Sequence, residues 1–416
     1  MTAASSQVLT PGAPPLRQML SELIATPSVS SVNPALNQSN RPLLDHLAGW
    51  LEDSGFDVEI LTLAGQPGKA NLIATLGQDR DQLKGTGLVL AGHSDTVPYD
   101  EHLWRHDPFT LTEAEGRLYG LGICDMKAFL ALAVEAAQGL KAEQLKAPLV
   151  ILATADEESA MHGARALLNS LSPDGSPDGI THGSKNGRRL GAHALIGEPT
   201  NLRPVRAHKG VMGESIRLRG QSGHASDPAL GRNALDGMHD VISAILRWRD
   251  GLKTRYHDKL FSIPYPTVNL GHIRGGDNPN RICGECELQL DLRPLPGLEP
   301  DSLRAELQEL IAPIAASRGL TWQLDALFES IPPGATPANA PIVRATEELT
   351  GLPAEAVNFG TELPFFNLLG MNTVVLGPGD IAQAHQPNEF LSLARIAPTQ
   401  SLLRALIEQF CLTHTP

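Results

Sequence analysis

The chain has 416 residues, enough for two domains with separate cores, and its 42% apolar content is that of an ordinary globular protein. Its 33 basic and 46 acidic side chains leave a net charge of −13, which argues against nucleic acid or an anionic membrane surface as a partner. Four irregularly spaced cysteines make no disulfide framework, the N-terminal run MTAASSQVLTPGAPP lacks the pattern of a secretory signal, and no uncharged run approaches bilayer length, so a soluble cytoplasmic protein is expected.

In chain order, residues 86–91 (TGLVLA) read as a buried strand, and a helical pattern follows Asp125 (DMKAFLALAVEAAQGL). A strand at 148–154 (PLVILAT), a helix from Glu158 (ESAMHGARALLNSL) and a short strand at 192–196 (AHALI) come next. This alternation predicts an α/β domain with a mostly parallel sheet flanked by helices, whose ligand crevice lies beyond the carboxyl ends of the strands. The Gly-, Ser-, Pro- and Asp-rich stretch 172–189 reads as an exposed loop without a catalytic part.

The rhythm then changes. Residues 214–219 alternate as a strand, 233–249 have helical spacing and 267–273 return to strand. Cys286, Leu288, Leu290 and Leu292 alternate with polar residues, 302–316 form an amphipathic helix, and 321–328 a last strand. The order β-α-β-β-α-β is the ferredoxin-like, or split βαβ, arrangement. The expected organisation is therefore an inserted α+β domain at 212–329 inside an α/β domain made of 1–211 and 330–416. The outer domain regains a strand at 373–376 and ends with a helix at 398–410.

Five short acidic or histidine signals each sit just past the end of an apolar strand: GHSDT at His93 and Asp95, CDMK at Asp125, DEE at Glu157 and Glu158, GEP at Glu198 and AHQP at His385. Together they offer oxygen and imidazole ligands for two metal ions and a spare carboxylate, the inventory of a metal-assisted hydrolase. In an H-x-D pair the imidazole can bind metal while the carboxylate holds its other nitrogen, although a hydrogen-bonded turn carries the same pattern. Asp125 can cap a helix or bridge two cations. Adjacent Glu157 and Glu158 would repel unless one binds metal and the other serves as general base, the alternative being two solvated acids at a helix start. Cys283-x-x-Cys286 has no second pair and runs into a strand, so neither a zinc nor a redox role is expected.

The runs GHSDTVP, WRHDPFTLTEAEGRLYGLGICDMK, ATADEES, IGEPT, SGHASDP, DLRPLPG, FGTELPFF and LGPGDIAQAHQPNEF resemble the M20 metallopeptidases, specifically their acetylornithine deacetylase branch, over nearly the whole chain. The resemblance implies two divalent metal ions, usually zinc, with cobalt an alternative. It implies that His93, Asp125 and Glu198 hold one ion, that Asp125, Glu158 and His385 hold the other, and that Asp95 orients His93. Glu157 would be the general base and acid, and the Asp125–Met126 bond would be cis. The inserted domain would act as a lid and dimerisation module of a homodimer. Its His224 would reach the partner's active site and hydrogen-bond the oxyanion. Asn280 and Arg293 match substrate-binding positions, although Arg293 could equally form a salt bridge on the strand's exposed face. Glu362 sits where this branch has an acidic residue, and it or a neighbour would meet a cationic substrate side chain. Ile123, Cys124 and Ala128 depart from the family pattern beside Asp125 without removing a ligand. Cys124 is there either an oxidisable thiol or a packed, inert one.

The implied reaction is hydrolysis of N2-acetyl-L-ornithine to L-ornithine and acetate, in arginine biosynthesis. The alternatives are the same chemistry on N-acetyl-citrulline, another N-acyl amino acid, succinyl-diaminopimelate or a peptide C-terminus, or a non-catalytic binding protein on the same fold.

Overall fold

The computed structural model describes residues 12–77, 87–171 and 189–412. The stretch read as an exposed loop falls, apart from Arg189, outside the described residues, as do Thr86 and most of the N-terminal run. The chain divides into two compact units. The first comprises Met1–Arg206, Thr336–Ala354 and Phe365–Pro416, and the second Ala207–Ala335 with Glu355–Pro364.

The first unit opens with helices α1 (Leu16–Ala25) and α2 (Arg41–Asp53) and the strands β1 (Asp57–Leu63) and β2 (Gln66–Leu76). Strand β3 (Leu88–His93) follows, then the short pair β4 (Thr112–Ala114) and β5 (Arg117–Tyr119) and the helix α3 (Lys127–Ala137). Next come β6 (Leu149–Thr154), α4 (His162–Leu171) and β7 (His193–Ile196), before β8 (Val205–His208) carries the chain into the second unit. There the elements are β9 (Met212–Arg219), α5 (Ala234–Arg255), β10 (Thr267–Gly275), β11 (Glu285–Arg293), α6 (Pro300–Ser317), β12 (Thr321–Ala326) and β13 (Gly334–Ala335). The rest of the chain supplies α7 (Pro341–Thr350), β14 (Glu355–Val357), α8 (Leu363–Leu368), β15 (Asn372–Val375), β16 (Phe390–Ser392) and α9 (Ile396–Ile407).

In the first unit the sheet runs β1-β2-β6-β3-β7-β15. Its centre, β6-β3-β7-β15, is parallel, while β1 and β2 are antiparallel additions at one edge. The parallel strands are covered on both faces. Leu90, Ile151, Leu195 and Val374 join one core with α1, α2, α3, α7 and α9, and the alternate residues Val89, Val150, Leu152 and Ile196 are buried as well. Two-sided burial explains why these strands read as unbroken apolar runs rather than as alternation. Helix α3 is buried at every position except Glu135, as expected of a helix that is apolar all round.

In the second unit four antiparallel strands run β10-β11-β9-β12. Helices α5 and α6 bury Met238, Val241, Ile245, Leu307 and Ile311 against Ile216, Leu218, Leu288 and Leu290. This is the ferredoxin-like order expected from the β-α-β-β-α-β pattern. Cys283 and Cys286 are free and buried.

Candidate metal centre

The centre is built beyond the carboxyl ends of the parallel strands. His93 is the last residue of β3, and Glu198 lies just past β7. Glu157 and Glu158 follow β6 in a single turn of 3₁₀ helix. Asp156, Ala160 and Met161 all have positive φ there, so the helix expected from Glu158 begins only at His162. The buried Lys69–Asp156 ion pair anchors that turn. Asp125 sits in the loop between β5 and α3, where the Asp125–Met126 peptide is cis and Met126 occupies the N-cap position. His385 lies in the loop after β15 with φ 59°.

Two groups of side chains each bring a ligand atom of every member within 4.8 Å of the others: His93 with Asp125 and Glu198, and Asp125 with Glu158 and His385. Asp125 belongs to both, one oxygen facing each way. Its Oδ1 lies 3.0 Å from His93 Nε2, and its Oδ2 3.5 Å from His385 Nε2. Glu198 Oε1 is 3.9 Å from His93 Nε2, and Glu158 Oε1 is 3.0 Å from His385 Nε2.

The ring of His93 is turned by Asp95, through the backbone: Nδ1 lies 2.9 Å from the Asp95 carbonyl oxygen and 3.7 Å from its carboxylate. The Asp95 carboxylate instead accepts the backbone N–H groups of Glu157 at 3.3 Å and Glu158 at 3.2 Å. Asp95 thus ties the end of β3 to the turn after β6, and burial raises its carboxyl above the usual range.

The electrostatics suit cations. Burial alone would push His93 down, yet the hydrogen bond to Asp125 and the charges of Asp125, Glu198 and Asp95 hold it well above an ordinary imidazole. Hydrogen bonds to Asp125 and Glu158 raise His385 to about 10. Burial works against ionisation of Asp125, but the two imidazoles outweigh it and hold its carboxyl well below the usual range. Three carboxylates around two imidazoles draw protons into positions where divalent ions would balance the same charge. The mixed nitrogen and oxygen donor set fits a borderline ion such as zinc.

The remaining predicted residues belong to the second unit. His224 is exposed and forms an isolated bridge with Arg281, and the Ala225 N–H donates to the Asn280 carbonyl at 3.0 Å, so His224 and Asn280 lie on paired segments. His224 Nδ1 lies 2.7 Å from Ser226 Oγ and 3.2 Å from the Ser226 N–H, which donates to it. Arg293 adopts the salt-bridge alternative: its Nε and Nη2 donate to Asp291 Oδ1 and Oδ2, both at 2.9 Å. Glu362 is fully buried. Cys124, in the first unit, is buried as well, its thiol 3.4 Å from the Asp380 carbonyl, and burial raises its pKa far above that of an exposed thiol.

Two residues beside the centre were not singled out from sequence. The side chain of Lys127 is fully buried, its Nζ donating to the carbonyls of Leu23 at 3.0 Å and Thr26 at 2.9 Å. Glu389 is also buried, and its carboxylate accepts N–H groups from the Asp125 loop. The only signal for Glu389 is an acid placed directly before the short apolar run Phe390–Leu391.

Solved structures share this architecture. A tripeptidase from Staphylococcus aureus matches with a TM-score of 0.69 at 22% identity, over 94% of this chain and 97% of that one. Aminopeptidase PepT from Bacillus cereus gives 0.69 at 20% identity, over 94% and 97%. A dinuclear metal binding peptidase of the M20 family from Bacillus subtilis gives 0.62 at 16% identity, over 95% and 98%. No helix among the described residues is long and apolar enough to cross a membrane. The model of peptidase family M20/M25/M40 matches residues 89–409, from β3 through α9, and the chain therefore belongs to that family of metal-dependent hydrolases.

Proposed function

We propose that the protein is an N-acyl amino acid amidohydrolase that converts N2-acetyl-L-ornithine into L-ornithine and acetate, working in the cytoplasm in arginine biosynthesis. The observation that carries the amide-hydrolase reading is completeness: two donor groups sharing Asp125, with Glu157 next to one of the ligands. A non-catalytic protein on this fold would have no need to keep both groups and an adjacent carboxylate. The substrate rests on the resemblance of the chain's motif runs to the acetylornithine deacetylase branch.

In this reading His93, Asp125 and Glu198 would hold one zinc ion, and Asp125, Glu158 and His385 the other. Bound divalent ions supply Lewis acidity to the scissile carbonyl and lower the pKa of a water. Glu157 would accept a proton from the attacking water and return it to the leaving α-amine. Asp95 keeps Glu157 in register with His93 through the backbone bonds described above. His224 from a second copy in a homodimer would donate to the oxyanion. Asn280 and Arg293 bind the substrate's polar groups, Arg293 exchanging Asp291 for the substrate carboxylate. Glu362 or a neighbour would meet the ornithine ammonium, which for the buried Glu362 requires that substrate binding uncover it.

A second reading keeps the centre and changes the substrate to a short peptide, which the tripeptidase and aminopeptidase likenesses favour. Amine release from acetyl-ornithine, acetyl-citrulline and a dipeptide by zinc-loaded protein separates the two readings. The ornithine reading expects kcat/KM to be highest for acetyl-ornithine, and a higher value for the dipeptide overturns it. Glu157→Gln is expected to lower kcat by about 10²–10⁴-fold with both metals retained. Full activity in that variant would sink the mechanism.

A further inference from the structure

The loop that presents Asp125 is held by a carboxylate with no part in the chemistry above. Glu389 directly precedes β16, and the loop of residues 120–125 directly follows β5. The two strands pair antiparallel with Phe390 opposite Tyr119, Leu391 opposite Leu118 and Ser392 opposite Arg117. One step further along the same register sets Glu389 against Gly120, whose N–H donates to the Glu389 carbonyl at 3.3 Å. The side chain continues inward. Oε2 accepts the Gly122 N–H at 2.8 Å, and Oε1 accepts those of Cys124 at 2.7 Å and Asp125 at 3.0 Å.

Three backbone donors, one of them belonging to the shared ligand itself, therefore converge on one side chain that is 2% exposed. The loop cannot use sheet or helix bonds for these N–H groups, because β5 has ended and α3 has not begun. Without Glu389 they would be buried donors lacking acceptors, which is costly. The segment that supplies the strut also supplies a ligand, His385, four positions earlier.

We propose that Glu389 is a positioning residue for the metal centre. It sets the Asp125 backbone so that the two carboxylate oxygens divide between the two donor groups, and it couples that setting to the His385 loop. The proposal rests on the two-metal reading of the site. Glu389 touches neither substrate nor metal in it and acts through Asp125.

The test is metal-stripped protein reloaded with Co²⁺, comparing wild type, Glu389→Ala and Glu389→Gln by chelator competition, by the visible spectrum of the bound cobalt, and by thermal unfolding of the metal-free forms. Removing the acceptor is expected to weaken cobalt binding by about 10–100-fold, the range found when groups supporting metal ligands are removed. The visible bands should shift, and the metal-free variants should still fold, with a melting point lowered by the unsatisfied N–H groups of the loop. Gln keeps one acceptor oxygen for Cys124 and Asp125 and turns an amide toward Gly122, so it should restore part of the affinity. If Ala does not fold, Gln decides alone: wild-type affinity and spectrum overturn the proposal, and a weakened, shifted site supports it. Failure of both variants to fold metal-free also overturns it, by showing a role in the fold rather than in the site. Wild-type protein that binds no cobalt would instead sink the metal reading itself.

Discussion

The two donor groups share Asp125 but live in different surroundings. The His93 side is sealed: the side chains of His93 and Glu198 are 1% and 8% exposed, and both hang from central strands of the sheet. The His385 side is open: His385 is 53% exposed, lies in a loop with left-handed backbone, and faces Glu158 on a short 3₁₀ turn. Burial gives the first group a preset geometry, since its ligands cannot rotate away without disturbing the core. The second group leaves an approach for substrate and water and relies on two loops to hold its shape. A hydrolase needs both properties, and the sharing of Asp125 lets one centre have them.

Asp125→Asn should produce the largest effect, because it removes the one charge common to both halves. Metal content is expected to fall below one ion per chain and activity to background, as measured by elemental analysis and amine release. Retention of one tightly held ion would show that the sealed half does not depend on the bridge. His385→Ala should open the difference between the halves. The variant is expected to keep one ion and lose the other, whereas His93→Ala should lose the tighter one, and equal losses would break the comparison.

The sealed half can also be strained from behind. A Cβ on Gly197 would lie 1.9 Å from Phe129 Cγ, so Gly197→Ala must displace α3 or the strand end that carries Glu198. Overpacking of this kind costs about 1–3 kcal/mol, read as a lower melting temperature with weaker metal binding. The smallest expected effect belongs to the open half in metal-free protein. His385 is raised to about 10 by Asp125 and Glu158, so its ion pairs stabilise the fold fully below about pH 6.5 and are lost as pH rises toward 10. The metal-free melting temperature should therefore fall modestly over that window, and His385→Ala should flatten the slope. An unchanged slope would place the loss elsewhere.

Much of this was legible in the chain. Apolar runs ending in His93, Glu157 and Glu198 mark strand ends because parallel strands are buried on both faces and change character abruptly where they leave the sheet. The alternation from Cys286 to Arg293 shows a one-sided strand for the same physical reason in reverse. The antiparallel additions β1 and β2 were not read, since strands that follow one another without a helix between them lack the α/β rhythm. Nor does sequence show that Asp95 turns His93 with its carbonyl while its carboxylate serves Glu157 and Glu158. Backbone acceptors carry no residue signature, and an aspartate looks the same in either role. Arg293 and Asp291 lie two apart on one strand and so share a face, which made their ion pair foreseeable. Glu389 was hidden because its partners are backbone N–H groups of a loop far away in the chain.

That distance has a consequence for how the enzyme matures. Asp125 and Glu389 are 264 residues apart, and Glu158 and His385 are separated by 227. A nascent chain that has completed every strand up to β7 still has only a partial centre, able to offer His93, Asp125 and Glu198 but not the strut or the second histidine. Contacts of such long range form slowly, after the entropy of closing the intervening chain has been overcome. The second donor group is therefore complete only when the last segment has docked, and a metal ion that binds there draws the chain toward that state.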